Sequence, residues 1–354
     1  MKKDRFGKIT ENGCRHSFLL FETIISAENI FAAWREFQKG KTNKIDVLEF
    51  SDNVEENLFS LIADLKNGTY VHGQYIRFCV HDPKRREIAK ALVRDRVLHH
   101  AVHRVLGSLF DKSFIFDSFS SRKEKGTHAA VKRLAKFAQK LSQNQTKTVW
   151  VLQIDIKKFF DSVDHEILVA FLKKKILDEK VISLLEEIVK SFDFSVGKGI
   201  PLGNLTSQLF SNVYLDPLDQ FIKRRLGVKY YLRYADDMVI LSRDKILLGN
   251  YLLEIQSFVA EKLKLQIHPN KIFFRKWHQG VDFLGYVSFS NYAILRTKTK
   301  RRALKKIYKE KIALEKGKIT KERLNQTVQS YFGILKHCRG HEIQKEVENI
   351  FQIS

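Results

Sequence analysis

Apolar residues recur with the spacing of a helix in some segments of the chain and with the spacing of a strand in others. Spacings of three and four predict helices over residues 22–66, and the last of these ends at Asn67 and Gly68. Alternation predicts a strand over residues 75–80, followed by a helix over residues 88–110 and a buried strand over residues 148–155.

The remaining pattern predicts more helices and one hairpin. A helix starting at Asp164 is expected to run to Ile176, because an Asp side chain can accept hydrogen bonds from free helical amides. Residues 205–226 are typical of a helix that Pro217 must kink or interrupt. Residues 229–233 and 238–242 predict two strands of a hairpin.

After this hairpin we expect a helix to about residue 264, short strands near residues 272–274 and 281–287, and basic helices from residue 297. The pattern predicts an α+β fold class. The predicted division is a helical N-terminal extension (1–70), a catalytic unit (71–295) and a smaller basic helical domain (296–354).

The charge balance indicates a polyanionic partner. The chain has 354 residues, 44% of them hydrophobic, with 63 Lys and Arg against 40 Asp and Glu, which gives a net charge of +23. Such an excess is costly in self-repulsion unless a polyanion neutralises it, so nucleic acid is the expected partner. A generic basic protein, or one that binds anionic membranes, would carry the same charge.

Cysteine usage and hydropathy predict a cytoplasmic protein without a membrane span. The three cysteines are far apart in the sequence and form neither a CxxC pair nor a zinc spacing. The N-terminal sequence MKKDRFGKIT lacks the apolar core of a signal peptide. No apolar stretch approaches the ~20 residues that a bilayer span requires.

Three aspartates form the candidate reactive set. Asp155 ends the buried strand, where an unpaired charge would be expensive, and Asp236 and Asp237 lie at the hairpin tip. Clustered carboxylates repel unless cations lie between them, and magnesium prefers carboxylate and phosphate oxygens. An Asp pair is also common in ordinary turns, so the hairpin alone does not show that Asp236 and Asp237 are catalytic.

Three ordered motifs resemble the reverse transcriptase family across about residues 75–340. Residues 234–237 (YADD) look like its YxDD box, and residues 153–160 (QIDIKKFF) like its first catalytic strand. Residues 283–286 (FLGY) are similar to its primer-gripping hairpin. The resemblance implies a right-hand polymerase fold with fingers, an antiparallel-sheet palm and a helical thumb.

The resemblance also implies site roles and partners. Asp155, Asp236 and Asp237 would hold two Mg²⁺ ions, with Mn²⁺ as a possible substitute, and the backbone of Ile156 would lie close to one ion. Phe160 would exclude a 2′-hydroxyl, although core packing is the alternative. The implied partners are an RNA template, a DNA or RNA primer, dNTPs and a small basic accessory protein. The other implied nucleotide-binding residues are Lys84, Arg86, Leu202, Gly203, Gln208 and Lys271, and the implied primer grip is Phe283, Leu284, Gly285 and Tyr286.

Residues 199–208 (GIPLGNLTSQ) look most like the enzymes of diversity-generating retroelements. Leu202 stands where many members have a glutamine, and leucine makes no hydrogen bonds to a sugar or base. Discrimination would therefore rely on shape, which predicts errors opposite template adenines. A bacterial defence enzyme and a retron or group II-like enzyme share the same core motifs.

Other classes remain open on the residues alone. A non-catalytic, maturase-like RNA-binding protein would keep the fold, and a two-metal nuclease would use similar acids. His99, His100 and His103 share one predicted helix, where packing or RNA contact is the expected role in place of metal binding.

Overall fold

A computed structural model of the chain describes residues 20–81 and 85–352. The helices are α1 (Leu20–Ile25), α2 (Ala27–Phe37), α3 (Ile45–Asp52), α4 (Val54–Asn67), α5 (Val93–Asp111), α6 (Thr127–Leu141), α7 (Phe159–Ser162), α8 (His165–Lys173), α9 (Glu179–Lys190), α10 (Leu205–Gln220), α11 (Lys245–Leu263), α12 (Thr297–Glu315), α13 (Lys321–Leu335) and α14 (His341–Gln352). The strands are β1 (Ile76–Val80), β2 (Arg86–Lys90), β3 (Trp150–Asp155), β4 (Tyr231–Tyr234), β5 (Asp237–Ser242), β6 (Phe273–Lys276), β7 (Val281–Phe283), β8 (Tyr286–Ser288) and β9 (Ala293–Leu295).

Most predicted elements are confirmed, and their ends follow local capping. The N-terminal helical region divides into α1 to α4. The first break falls at Ser26, because its hydroxyl accepts from the Asn29 amide at 3.2 Å and starts α2. Asp164 caps α8 as predicted, with its carboxylate 3.1 Å from the Ile167 amide. That helix ends at Lys173, short of Ile176.

One predicted boundary is wrong, and of the two predictions for Pro217, a kink or an interruption, only the interruption is excluded. Residues 88–90 were expected to start a helix, but they belong to β2, which pairs antiparallel with β1. Pro217 does not interrupt its helix: α10 continues to Gln220 and then changes to π-type hydrogen bonding over Phe221–Arg225.

The described chain forms two compact units. In the described residues, unit 1 comprises residues 20–81, 85–116, 156–226 and 254–267, and unit 2 comprises residues 117–155, 227–253 and 268–352. Unit 1 is mainly helical. The buried Asn29 amide ties its helices together by donating to Ile24 O at 2.9 Å and to Ala101 O at 3.1 Å.

Unit 2 is built on an antiparallel four-stranded sheet of order β4-β5-β3-β6. Strand β3 is central, and Val151, Leu152 and Ile154 on it are all buried. A second sheet, β7-β8-β9, shares one apolar core with α6 and with residues of the C-terminal helices, including Leu335 and Ile343. In the described residues, no helix is both long and apolar enough to cross a bilayer.

Candidate active site

Sheet register brings the first and last of the three aspartates together in unit 2. Asp155 is the final residue of β3, and its antiparallel partner is Asp237, the first residue of β5. The Asp155 side chain lies close enough to the Asp237 carboxyl to raise the pKa of Asp237. Asp236 precedes Asp237 in the turn, and its charge acts on the Asp237 carboxyl. We call these three residues the carboxylate centre.

The tight turn before the centre is held by a buried arginine. Ala235 adopts a left-handed conformation with φ of 52°, which costs a non-glycine residue roughly 1 kcal/mol. The Arg233 side chain is fully buried, and its Nη1 donates to the Ala235 carbonyl at 2.9 Å. Its Nη2 donates to the Ser118 hydroxyl at 3.3 Å. Arg233 therefore fixes the backbone on which Asp236 and Asp237 are carried.

The carboxylate centre carries more negative charge than its surroundings balance. Burial, the charges of Asp236 and Asp155, and the hydrogen bond to Asp155 raise the pKa of Asp237 to about 7. The ammonium of Lys271 opposes this shift. A pKa raised in this way indicates a site that a bound cation would stabilise.

Lys271 supplies one positive charge directly. It ends a 3₁₀ turn, Pro269–Lys271, just before β6, and its Nζ lies 2.8 Å from Asp155 Oδ1. The His268 amide donates to the Asp155 carbonyl at 2.8 Å, so the segment that carries Lys271 is tied to the end of β3.

The donor chemistry of the centre suits a hard divalent cation. All three side chains offer carboxylate oxygens, the ligands that Mg²⁺ and Mn²⁺ prefer. In residues 20–81 and 85–352, no group of three or more His, Cys, Asp or Glu side chains is arranged as a ready metal site. Mg²⁺ takes one or two carboxylates and completes its shell with water and substrate phosphate.

Of the other predicted nucleotide residues that the structure describes, apart from Lys271, all belong to unit 1. Arg86 begins β2 and is exposed, whereas Lys84 lies outside the described residues. Phe160 is half-buried in α7, and the ring that fills the core there is that of Phe159, 2% exposed. Ile156 follows the centre directly, is buried and pairs with Ile267.

The loop before α10 is bonded to strand β2. The Ala89 amide donates to the Leu202 carbonyl at 3.2 Å. Gly203 has φ of 111°, and a Cβ there would lie 2.9 Å from a methyl group of Ile88. Gln208, on the first turns of α10, is exposed.

The FLGY segment of unit 2 forms a hairpin whose rings point into the core. Phe283 and Tyr286 are each 2% exposed and face each other in register. The Tyr286 hydroxyl donates to Ile334 O at 3.1 Å. Leu284 and Gly285, both at positive φ, form the turn and are half-buried. Any contact with a primer would therefore fall on this turn and not on the aromatic rings.

Sequence reasoning missed two supporting residues. The sequence pattern predicts Arg233 only as part of a strand, and its partner Ser118 lies 115 residues away in the sequence. Asn204 is 2% exposed, and its side-chain amide donates to Ala89 O at 3.0 Å. Asn204 lies directly before α10, where an Asn is typical of a cap, but its side chain makes no capping hydrogen bond to that helix. Of the helical histidines, His99 is buried in unit 1, which fits packing.

Sequence comparisons give a consistent set of matches. A family model described as "Reverse transcriptase (RNA-dependent DNA polymerase)" matches residues 81–288. The Escherichia coli (strain K12) protein YkfC is 24% identical over 57% of this chain and 63% of its own length. Group II intron-encoded protein LtrA of Lactococcus lactis subsp. cremoris is 22% identical over 93% of this chain. The chain spans 63% of the length of each of these two relatives.

A solved structure shares the fold. The apo telomerase of Candida tropicalis superposes with a TM-score of 0.51 and 13% sequence identity, covering 72% of this chain and 56% of the telomerase chain. This likeness, with the antiparallel four-stranded sheet, confirms the predicted α+β right-hand polymerase fold class.

Proposed function

This chain belongs to the reverse transcriptase family, and from that premise we propose that it synthesises DNA on an RNA template at the carboxylate centre. The observation that carries the proposal is the pairing of Asp155 with Asp237 across β3 and β5, with Asp236 beside them. Acids from two distant stretches of the sequence meet at one end of the sheet, and such a group of acids can hold the cations of metal-assisted phosphoryl transfer.

In and around the carboxylate centre, the three acids would bind cations, and Arg233 and Lys271 would control the backbone position and the charge. Asp155, Asp236 and Asp237 would hold divalent cations, Mg²⁺ with Mn²⁺ as a substitute, which when bound activate the attacking hydroxyl and stabilise the leaving group. Arg233 keeps the hairpin carbonyl fixed, so the two neighbouring carboxylates need not reorganise. Lys271 partly neutralises Asp155 and would have to move aside or share that oxygen with an incoming ion.

The remaining predicted roles follow the same proposal. Arg86 and Lys84 would bind the triphosphate, Phe160 would select against a 2′-hydroxyl, and the Leu284 and Gly285 turn would contact the primer. The basic helix α12 would follow the product duplex through phosphate contacts, which carry no sequence information. The accessory basic protein remains part of the proposal.

Primer extension by the full chain tests the assignment. The assay contains an RNA template, a DNA primer, dNTPs and Mg²⁺, and it compares wild type with the Asp236→Asn/Asp237→Asn double variant. Glu254→Gln, an exposed acid on α11, is the matched control. We expect extension by wild type and the control only. No extension by wild type would favour a non-catalytic RNA-binding protein, and extension by the double variant would contradict the site.

We further propose that synthesis is error-prone at template adenines, as part of a diversity-generating retroelement. The support is the half-buried aliphatic Leu202, held to β2 through its own carbonyl. Product sequencing should show fewer adenine errors for Leu202→Gln than for wild type or the apolar control Leu202→Met. Equal adenine errors in all three proteins would remove the link to Leu202.

A group II-like enzyme is the second candidate, because the LtrA match extends over 93% of this chain. Errors without any bias towards template adenine, in otherwise active protein, would favour that candidate. DNA made without an added RNA template would instead favour a defence-type polymerase.

A further inference from the structure

The two edges of the four-stranded sheet in unit 2 differ. At one edge, residues 117–119 cover β4: the Arg233 amide donates to the Asp117 carbonyl at 2.9 Å, and the Phe119 amide donates to the Arg233 carbonyl at 2.9 Å. At the other edge β6 is the last strand, and in residues 20–81 and 85–352 no strand pairs with its outer side. We call Phe273–Lys276 the open edge. Most proteins cover or protect such an edge, because its free backbone groups can pair with another chain.

The sheet register shows which residues of the open edge bond to β3. The Trp277 amide donates to the Val149 carbonyl at 2.8 Å. Because hydrogen-bonded positions alternate along an antiparallel ladder, the next bonded positions on β6 are Arg275 and Phe273. The backbone groups of the residues between them therefore point away from β3.

Phe274 carries the free backbone groups of this edge. Its N–H and C=O face outwards, and no hydrogen bond among the described residues uses its N–H. Lys276 also faces outwards, but its N–H already donates to the Gln279 side-chain oxygen at 3.3 Å. A residue that presents both a donor and an acceptor is what an added strand requires, because neighbouring strands bond through N–H and C=O groups of such residues.

Cations lie on both faces of the open edge. Successive side chains of a strand point to opposite faces, so Arg275 and Lys276 lie on different faces. On one face, the ammonium groups of Lys276 and Lys245 lie 5.3 and 5.0 Å from the centroid of the Trp150 ring. On the other, the Arg275 guanidinium lies 5.5 Å from the centroid of the Phe273 ring, which is 42% exposed. In the part of the chain that the structure describes, none of these three cations forms an ion pair with a carboxylate.

We propose that the open edge binds an acidic, extended segment of a partner protein, which adds to the sheet as a strand beside β6. The Phe274 N–H and C=O supply main-chain hydrogen bonds to this segment. Acidic side chains at successive positions of the segment meet Arg275 on one face and Lys276 with Lys245 on the other. The backbone bonds give affinity and the cations select for acidic sequence.

Two other occupants match the open edge less well. A second copy of this chain would bring the cations of two β6 strands opposite each other, and like charges at such positions are destabilising. A nucleic acid could contact the cations, but it has no alternating N–H and C=O groups along its backbone to pair with Phe274.

Binding of a defined peptide to the full chain tests the proposal. The probe is a fluorescent peptide of sequence Val-Glu-Glu-Val-Glu-Glu-Val, which has acids on both faces of a strand. One control peptide has Lys in place of Glu. Another keeps the charge, but every amide is N-methylated, so it cannot pair as a strand. Neither metal ion nor dNTP is present, so the result does not depend on the proposed function.

Hydrogen exchange resolved at single amides identifies the contact. We expect saturating acidic peptide to slow exchange of the Phe274 amide by about tenfold or more. The amides of Phe273 and Arg275 should change little, because they already bond to β3. The Lys-containing and N-methylated peptides should leave the Phe274 amide unprotected.

Charge variants separate the edge cations from the overall charge. Arg275→Gln/Lys276→Gln should weaken binding of the acidic peptide about fivefold in low salt. Arg224→Gln/Arg225→Gln, which removes two adjacent exposed cations of unit 1, is the matched control and should bind as wild type does. Arg275→Lys/Lys276→Arg keeps both charges and should also bind as wild type does, which separates a lost charge from a disturbed strand.

Four outcomes would overturn the proposal. The first is an unprotected Phe274 amide with the acidic peptide at about 1 mM. The second is equal peptide binding by the Gln double variant of the edge and by its control. The third is equal protection of this amide by a DNA oligonucleotide of the same net charge, which would assign the edge to nucleic acid. The fourth is protection that rises with protein concentration without peptide, which would assign it to a second copy.

Discussion

The carboxylate centre and a pocket in unit 1 have opposite charge but the same electrostatic imbalance. Lys41, Arg96 and His100 are among the residues that line this pocket, which we call the cationic pocket. In the first, Asp237 has a pKa raised to about 7, and in the second His100 has a pKa lowered to about 4, so each is displaced towards its neutral form. Each region holds like charges close together at a partly buried place. Both pKa shifts favour a bound ion of the opposite charge: a cation at the carboxylate centre and an anion near His100.

The largest effect that can test this comparison is on catalysis. We expect Asp237→Asn to reduce primer extension by at least about a thousandfold, because it removes a charge that a bound cation requires. Single-turnover extension at saturating Mg²⁺ measures it, with Glu254→Gln as the control. Activity within tenfold of wild type would break the assignment of a cation to this region.

The second effect concerns the support of the hairpin. Arg233→Met removes buried hydrogen bonds to Ala235 O and Ser118 Oγ, and we expect the free energy of unfolding to fall by about 3 kcal/mol. Arg243→Met is a matched control, since Arg243 also donates to a backbone carbonyl, Leu141 O at 2.7 Å, but is exposed. Urea unfolding compares the two, and equal losses would show that Arg233 has no special structural role.

The third effect is the stabilisation of the folded protein by a bound ligand, which should differ between the two regions. At about a hundredfold excess over its dissociation constant, a ligand stabilises the folded protein by about 2.7 kcal/mol. Mg²⁺ should stabilise wild type and Lys41→Gln but not Asp237→Asn, whereas an anion such as inorganic phosphate should stabilise wild type and Asp237→Asn more than Lys41→Gln. Thermal unfolding with each ligand measures this. Loss of both responses in one variant would mean that the regions are not independent.

The smallest effect is on the pH dependence of stability, and its sign differs between the regions. Asp237 binds its proton more tightly when folded, so its contribution falls as pH rises from about 4 to about 7. His100 binds its proton less tightly when folded, so its contribution is present above pH 6.5 and is lost as pH falls towards 4. The stability of Asp237→Asn relative to wild type should therefore rise as pH rises from about 4 to about 7. The stability of His100→Gln relative to wild type should rise as pH falls from 6.5 to about 4. Urea midpoints between pH 4 and 8 check both signs.

The sequence allowed the carboxylate centre to be predicted because strand ends carry its residues. Asp155 ends a buried strand, Asp236 and Asp237 follow a strand-like run, and the family resemblance implies that the three act together. The register of β3 and β5 pairs Asp155 with Asp237. The helix expected at residues 88–90 was wrong, because pairing with β1 overrides the local helical preference of EIAK.

The cationic pocket could not be predicted in the same way. Lys41, Phe78, Arg96 and Gln208 lie in four separate stretches of sequence, and no local period relates them. The role of Arg233 could not be predicted either, because its hydrogen bond to Ala235 depends on a turn conformation that the residue types YADD do not specify. Long-range packing, and not local propensity, decides both.

The apolar core of unit 2 has a practical consequence for making shorter versions of the protein. Leu335 and Ile343, on the C-terminal side, are buried in the same core as Val151, Val239 and Phe283 of the sheets. A fragment cut at residue 288, where the family match ends, would leave this core open to water and prone to aggregate during expression. Soluble fragments that retain the sheet should therefore extend at least past Ile343.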